Sequence, residues 1–159
     1  MLLQRNLYHA GIVTDDFEGT VQRLSREMGL TWSPRIEVDL PLWTRDYGTL
    51  VVRTKAVYSR EEPCIEVVQS IRGTPISAPE GRPLHHLGYW SVDLDRDALE
   101  LEAAGAAKIM CAHDNGRMFG MAYFELSNGL LVELVDRTSF PDWNAFLAGE
   151  IEHEVAYPD

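Results

Sequence analysis

An internal duplication constrains this chain more than any other feature. His9 opens the stretch His9-Ala10-Gly11-Ile12-Val13-Thr14-Asp15-Asp16, and His86 opens the near-matching stretch His86-Leu87-Gly88-Tyr89-Trp90-Ser91-Val92-Asp93. Each is followed downstream by an apolar segment carrying one Glu: Ile65-Glu66-Val67-Val68 in the first copy and Val132-Glu133-Leu134-Val135 in the second. A strand bearing His, a helix and a later strand bearing Glu therefore occur in order, twice. Each copy supplies one imidazole and one carboxylate, and two of each form a donor set for a divalent transition metal.

The local patterning fills in the two copies. Leu7 to Val13 reads as a strand, and Thr14, Asp15 and Asp16 offer caps for a helix from Phe17 to Met28, closed by Gly29. Thr31 to Asp46, with Pro34 and Pro41, reads as a short strand followed by an irregular stretch. Thr49 to Tyr58 and Cys64 to Gln69 are the next strands. Residues 71–83, rich in Gly and Pro, form the linker. The second copy repeats the order: a strand over Leu84 to Val92, a helix capped by Asp93 and Asp95 and ended by Gly105, then strands over Ala107 to Met110, Met118 to Glu125 and Leu130 to Val135. Asp114 to Gly116, with His113 beside it, and Asn128-Gly129 are turns. The expectation is one domain over residues 1–159, with repeats at 7–70 and 84–136 and a tail at 137–159 whose Phe140, Trp143 and Phe146 form a short helix packing over the domain or a partner subunit. The class is α+β: two tandem βαβββ modules making a cupped mixed sheet with flanking helices.

Side chains alternate along a strand, so Glu66 and Glu133 point away from their apolar neighbours, and a pseudo-twofold between the modules brings both Glu and both His to one concave face. Within His85-His86, the His-x-Gly register shared with His9 selects His86, and His85 points the other way. Trp32, Trp43, Tyr89, Trp90 and Phe124 are candidates either for pocket walls or for core and dimer contacts. Arg53 and Arg117 could oppose an anionic group or serve in surface salt bridges.

The formal net charge of -11 argues against nucleic acid and anionic membranes as partners, since nothing would neutralise the phosphates. The two cysteines, Cys64 and Cys111, make no disulfide scaffold. No run reads as a leader peptide or a membrane span, which gives the expectation of a cytoplasmic protein with a small-molecule substrate.

The ordered set His9-Ala10-Gly11-Ile12 with Asp16, Ile65 to Gln69, Leu84 to Tyr89 and Asn128 to Val135 resembles the vicinal oxygen chelate superfamily, which includes glyoxalase I, methylmalonyl-CoA epimerase, extradiol dioxygenases and the bleomycin and fosfomycin resistance proteins. It covers about Leu7 to Asp136 and is most similar to the epimerase and glyoxalase-like branch. The resemblance implies metal ligands at His9, Glu66, His86 and Glu133, a divalent ion (Zn, Mn, Co, Ni or Fe(II)) and a homodimer, which would also cover the sheet edges and helix faces that two half-modules leave open. It implies a metal-dependent isomerase or lyase that moves a proton alpha to a metal-bound carbonyl, for instance in a 2-substituted acyl-CoA thioester. A metal-bound Glu that lets go, Glu133, can serve as base. Asp46 falls near the acidic residue proposed as base in the epimerases, with Glu37 and Asp39 close by. Two other readings stand beside this one: an extradiol-type dioxygenase holding Fe(II) by two His and one carboxylate, and a metal-free binding or resistance protein.

Overall fold

The computed structural model describes residues 4–155 and 157. The first module consists of β1 (Leu7–Thr14), α1 (Phe17–Met28), β2 (Ile36–Thr44), β3 (Gly48–Tyr58) and β4 (Cys64–Gln69). The second consists of β5 (His86–Ser91), α2 (Leu94–Ala103), β6 (Ala107–Asp114), β7 (Arg117–Glu125) and β8 (Leu131–Asp136), followed by α3 (Trp143–Ala148). The βαβββ order therefore occurs twice. The Asp16 side chain accepts from the Gly19 amide to start α1, and the Asp93 side chain accepts from the Arg96 amide to start α2. Gly29 closes α1 at a left-handed φ of 73°.

The strands form one sheet in the order β1-β4-β3-β2-β6-β7-β8-β5, with β5 returning to β1. In each module the His strand runs parallel to the Glu strand, β1 beside β4 and β5 beside β8. The two His strands pair antiparallel at the centre. The cupped sheet expected from the sequence closes at its far side, where Leu42, Trp43 and Thr44 of β2 pair with Ala112, Cys111 and Met110 of β6. Among the described residues every strand has a neighbour on both sides over part of its length, but Ile36 to Pro41 of β2 pair with β3 alone, so closure shortens the open sheet edge without abolishing it.

The stretch before Asp46 differs most from its sequence reading. Ile36 to Thr44 is one strand, not a short strand plus an irregular segment. Ile36, Val38, Leu40 and Leu42 are less exposed than the alternating Glu37 and Asp39, and this period-two pattern outweighs Pro41. Pairing with β6 starts only at Leu42, so Pro41 sits where β2 is bonded on one side alone. His113 likewise lies within β6 rather than in a turn.

The helices cover the outside of the barrel. Phe17 of α1 packs with Val57 and Val67, and Leu94 and Ala98 of α2 pack with Cys111, Phe124 and Leu134. Alternation then turns Glu66 and Val68 of β4, and Glu133 and Val135 of β8, to the interior. α3 places Trp143 and Phe146 against Tyr8, Tyr58 and Phe140, as expected for the tail. The five aromatics read as wall or core are core: Trp43, Tyr89 and Phe124 pack with α2, Trp32 with α1, and Trp90 stacks on Tyr8 at 3.6 Å.

Candidate metal centre

The two His strands run antiparallel with His9 opposite Gly88 and Gly11 opposite His86. The His-x-Gly spacing is thus reciprocal: the Gly of each copy makes room for the imidazole of the other. A Cβ built on Gly88 would lie 1.8 Å from His9 Cε1, and one built on Gly11 would lie 1.9 Å from His86 Cε1. No side chain fits there while the rings hold these positions. The parallel pairings then bring Glu66 opposite Gly11 and Glu133 opposite Gly88.

The four side chains meet inside the barrel, each at most 5% exposed. One ligand atom from each lies within 4.8 Å of the others. His9 Nε2 is 3.1 Å from Glu133 Oε2 and 3.4 Å from Glu66 Oε2. His86 Nε2 is 3.1 Å from Glu66 Oε2 and 3.4 Å from Glu133 Oε2. The two Nε2 atoms are 2.9 Å apart.

The donor set fits a divalent cation. Two imidazole nitrogens and two carboxylate oxygens converge on one point, and Glu133 Oε2 is buried there without a hydrogen-bond partner. Without a cation the site balances its own charge. Burial opposes ionisation of Glu66, but His9 and His86 hold its carboxyl well below the usual range. Burial and the neighbouring Glu66 carboxylate oppose ionisation of Glu133, and the nearby imidazoles of His86 and His9 lower it nonetheless. Burial disfavours the His86 cation, yet Glu133 and Glu66 raise it to about 9. His9 is raised too, against its burial, by Glu66 and Glu133.

Sequence reading did not pick out Tyr58 and Tyr123. Tyr58 is the direct cross-strand partner of Glu66, and Tyr123 that of Glu133. The signal was available: in each copy the strand before the Glu strand carries a Tyr. Tyr123 Oη is 3.4 Å from His86 Nε2. Burial and the two carboxylates push both phenols well above their ordinary value, so both keep their protons. His85 was expected to face away. It is buried, and its Nδ1 is 2.9 Å from His86 Nδ1.

A cavity of about 120 Å³ opens from the cluster. Glu66, Glu133, Tyr58 and Tyr123 form its polar end, and Ile36, Val38, Leu40, Val68 and Phe119 line the rest. The tail adds His153, stacked on Phe140 at 4.3 Å, and Val155. Asp46 is elsewhere. It sits at the tip of the β2–β3 hairpin, its side chain 61% exposed and ion-paired with Arg45, and it does not line this cavity. Thr44 pairs with Gly48, so the chain leaves β2 before Asp46, which falls in the turn and not at an inward-facing strand position. Arg53 pairs with Glu37 and Asp39 on the surface, and among the described residues no Lys or Arg lines the cavity.

The fold is shared with solved structures of low identity. Methylmalonyl-CoA epimerase from Mycobacterium tuberculosis is 18% identical with a TM-score of 0.58, covering 86% of this chain and 92% of that one. A Streptomyces coelicolor methylmalonyl-CoA epimerase variant in complex with 2-nitronate-propionyl-CoA is also 18% identical with a TM-score of 0.58, covering 86% and 98%. A hypothetical protein from Bacillus halodurans is 16% identical with a TM-score of 0.54, covering 82% and 93%. No curated protein matches the chain. The sequence profile of the glyoxalase/bleomycin resistance protein/dioxygenase superfamily matches residues 8–124, well over half of the chain. By that match, the chain belongs to the glyoxalase/bleomycin resistance protein/dioxygenase superfamily.

Proposed function

We propose that this protein is a metal-dependent isomerase or lyase that moves a proton alpha to a carbonyl of a small oxygenated metabolite. One observation carries the reading: four buried donors, two His and two Glu, converge beside a largely apolar cavity that Glu66 and Glu133 line. His9, Glu66, His86 and Glu133 would hold the ion, which supplies Lewis-acid stabilisation of an enolate oxygen. Glu66 is as close to the imidazoles as Glu133 is, which favours a four-donor shell over the two-His, one-carboxylate shell of an extradiol dioxygenase.

The chain's own groups divide the remaining work. Glu133 lines the cavity and carries an unpartnered oxygen, so it is the group to accept the substrate proton. Tyr123, held protonated, is a donor and not a base, and its hydroxyl is placed to return a proton or to support the enolate. Asp46 has no route to these atoms from the hairpin tip. Ile36, Val38, Leu40 and Val68 exclude water around the apolar part of the substrate. With two carboxylates and, among the described residues, no Lys or Arg in the wall, an anionic substrate group is accepted only where the donor set is neutralised by a cation. Solved neighbours bind methylmalonyl-CoA and 2-nitronate-propionyl-CoA, which makes 2-substituted acyl-CoA thioesters the first substrates to try.

The test is exchange of the substrate alpha proton with deuterium oxide, followed by proton NMR over a panel of acyl-CoA thioesters and glyoxalase substrates. Co(II)- or Mn(II)-loaded protein should exchange at least one of them, and protein stripped with a chelator should not. Exchange unaffected by stripping, or loaded protein inert across the panel, contradicts the proposal.

A further inference from the structure

The geometry points to His85 as a positioning residue that fixes the tautomer of His86 and so aims its Nε2 lone pair into the donor set. The inference rests on the reading of His9, Glu66, His86 and Glu133 as a metal site.

The Pro75 carbonyl can only accept, and His85 Nε2 lies 2.8 Å from it, so His85 Nε2 carries a hydrogen. A neutral His85 then has a bare Nδ1, which is an acceptor. His86 Nδ1 lies 2.9 Å from that acceptor and must donate to it. With its Nδ1 proton held by His85, the lone pair His86 can offer a cation is the one at Nε2, the atom 3.1 Å from Glu66 and 3.4 Å from Glu133. The Pro75 carbonyl is the fixed end of the chain because its loop is pinned: Thr74 Oγ1 donates to the Ile71 carbonyl at 2.8 Å, and Ser77 Oγ donates to the Thr74 carbonyl at 2.6 Å. The linker between the two copies thereby sets the orientation of one imidazole.

The two halves differ here. His9 Nδ1 is buried with no hydrogen-bond partner among the described residues, and the first copy has Tyr8 where the second has His85. His9 is placed by the Gly88 gap and by the edges of Tyr8 and Tyr58, at ring distances of 4.4 and 5.5 Å. The duplication is therefore symmetric in its donors and asymmetric in what orients them. Partners of a ligating imidazole's second nitrogen typically change metal affinity by about 10–100-fold when removed.

The test has two arms. In the metal-free wild type, long-range proton–nitrogen correlation NMR should find His85 protonated at Nε2 and bare at Nδ1. This arm reads out even if the chain holds no metal, so it separates failure of the inference from failure of the functional reading. Co(II) titration forms the second arm. His85→Phe keeps the ring volume and loses both nitrogens, and should weaken Co(II) about 10-fold or more. His85→Asn keeps an acceptor near Nδ1 and should stay within a few-fold of wild type. His85 protonated at Nδ1, His85→Phe binding like wild type, or His85→Asn as weak as His85→Phe would each overturn the inference.

Discussion

At the residue scale, the site depends on two absent side chains as much as on four present ones. Gly11 and Gly88 face His86 and His9 across the central strand pair, with room for nothing between. Gly88→Ala should swing the His9 ring out of the cluster, weaken Co(II) binding about 10-fold or more, and cost about 1–3 kcal/mol of stability from overpacking. Calorimetric Co(II) titration with thermal unfolding checks this, and wild-type values in both would contradict it. Tyr123→Phe separates chemistry from binding. It should hold Co(II) within a few-fold of wild type and slow alpha-proton exchange by about 10²-fold, the usual size of one acid–base contribution. Unchanged exchange would remove Tyr123 from proton transfer. His9, His86, Glu66 and Glu133 were readable from sequence because a duplication exposes them as pairs in register. Asp46 was not readable: its position depends on where a hairpin turns, and one residue's shift in a turn decides between cavity and solvent.

At the element scale, alternation explains most of what the sequence made plain. Val67 and Leu134 face the helices while Glu66 and Glu133 face inward, because neighbours on a strand point to opposite sides. β2 was the exception, since two prolines masked a period-two pattern that pairing with β3 then enforced along its whole length. Barrel closure between β2 and β6 was also hidden, because three paired residues leave no signature in a single chain. The rest of that seam is covered by the tail: Tyr157 Oη donates to the Asp39 carbonyl at 2.9 Å, and Val155 packs into the interior cluster. A chain ending at Glu150 should therefore open the cavity, bind an apolar fluorescent dye several-fold more strongly and unfold at lower temperature. Dye binding equal to that of the full chain would show that the tail does not seal the seam.

At the scale of the whole molecule, a buried tetrad of charges ties stability to pH in the metal-free protein. The folded value of His86 is raised from 6.5 to about 9, so its contribution is fully present below pH 6.5 and is lost as pH rises through about 9. Glu66 is lowered from 4.5, so its contribution is present above pH 4.5 and is lost as pH falls below it. Metal-free protein should be most stable between these limits and weaken toward pH 9, whereas bound Co(II), which needs the imidazoles deprotonated, should stabilise it most on the alkaline side. Thermal unfolding across this range checks it, and a metal-free stability that stays flat from pH 6.5 to 9 would contradict it. The two copies meet to form one metal site. Metal content of purified, tag-free protein, beside a Glu66→Ala, His86→Ala double variant, tests it most directly. About one transition metal per chain in the wild type, absent from the variant, is the predicted result; no metal in the wild type, and none taken up on reconstitution, would contradict it and leave a ligand-binding barrel.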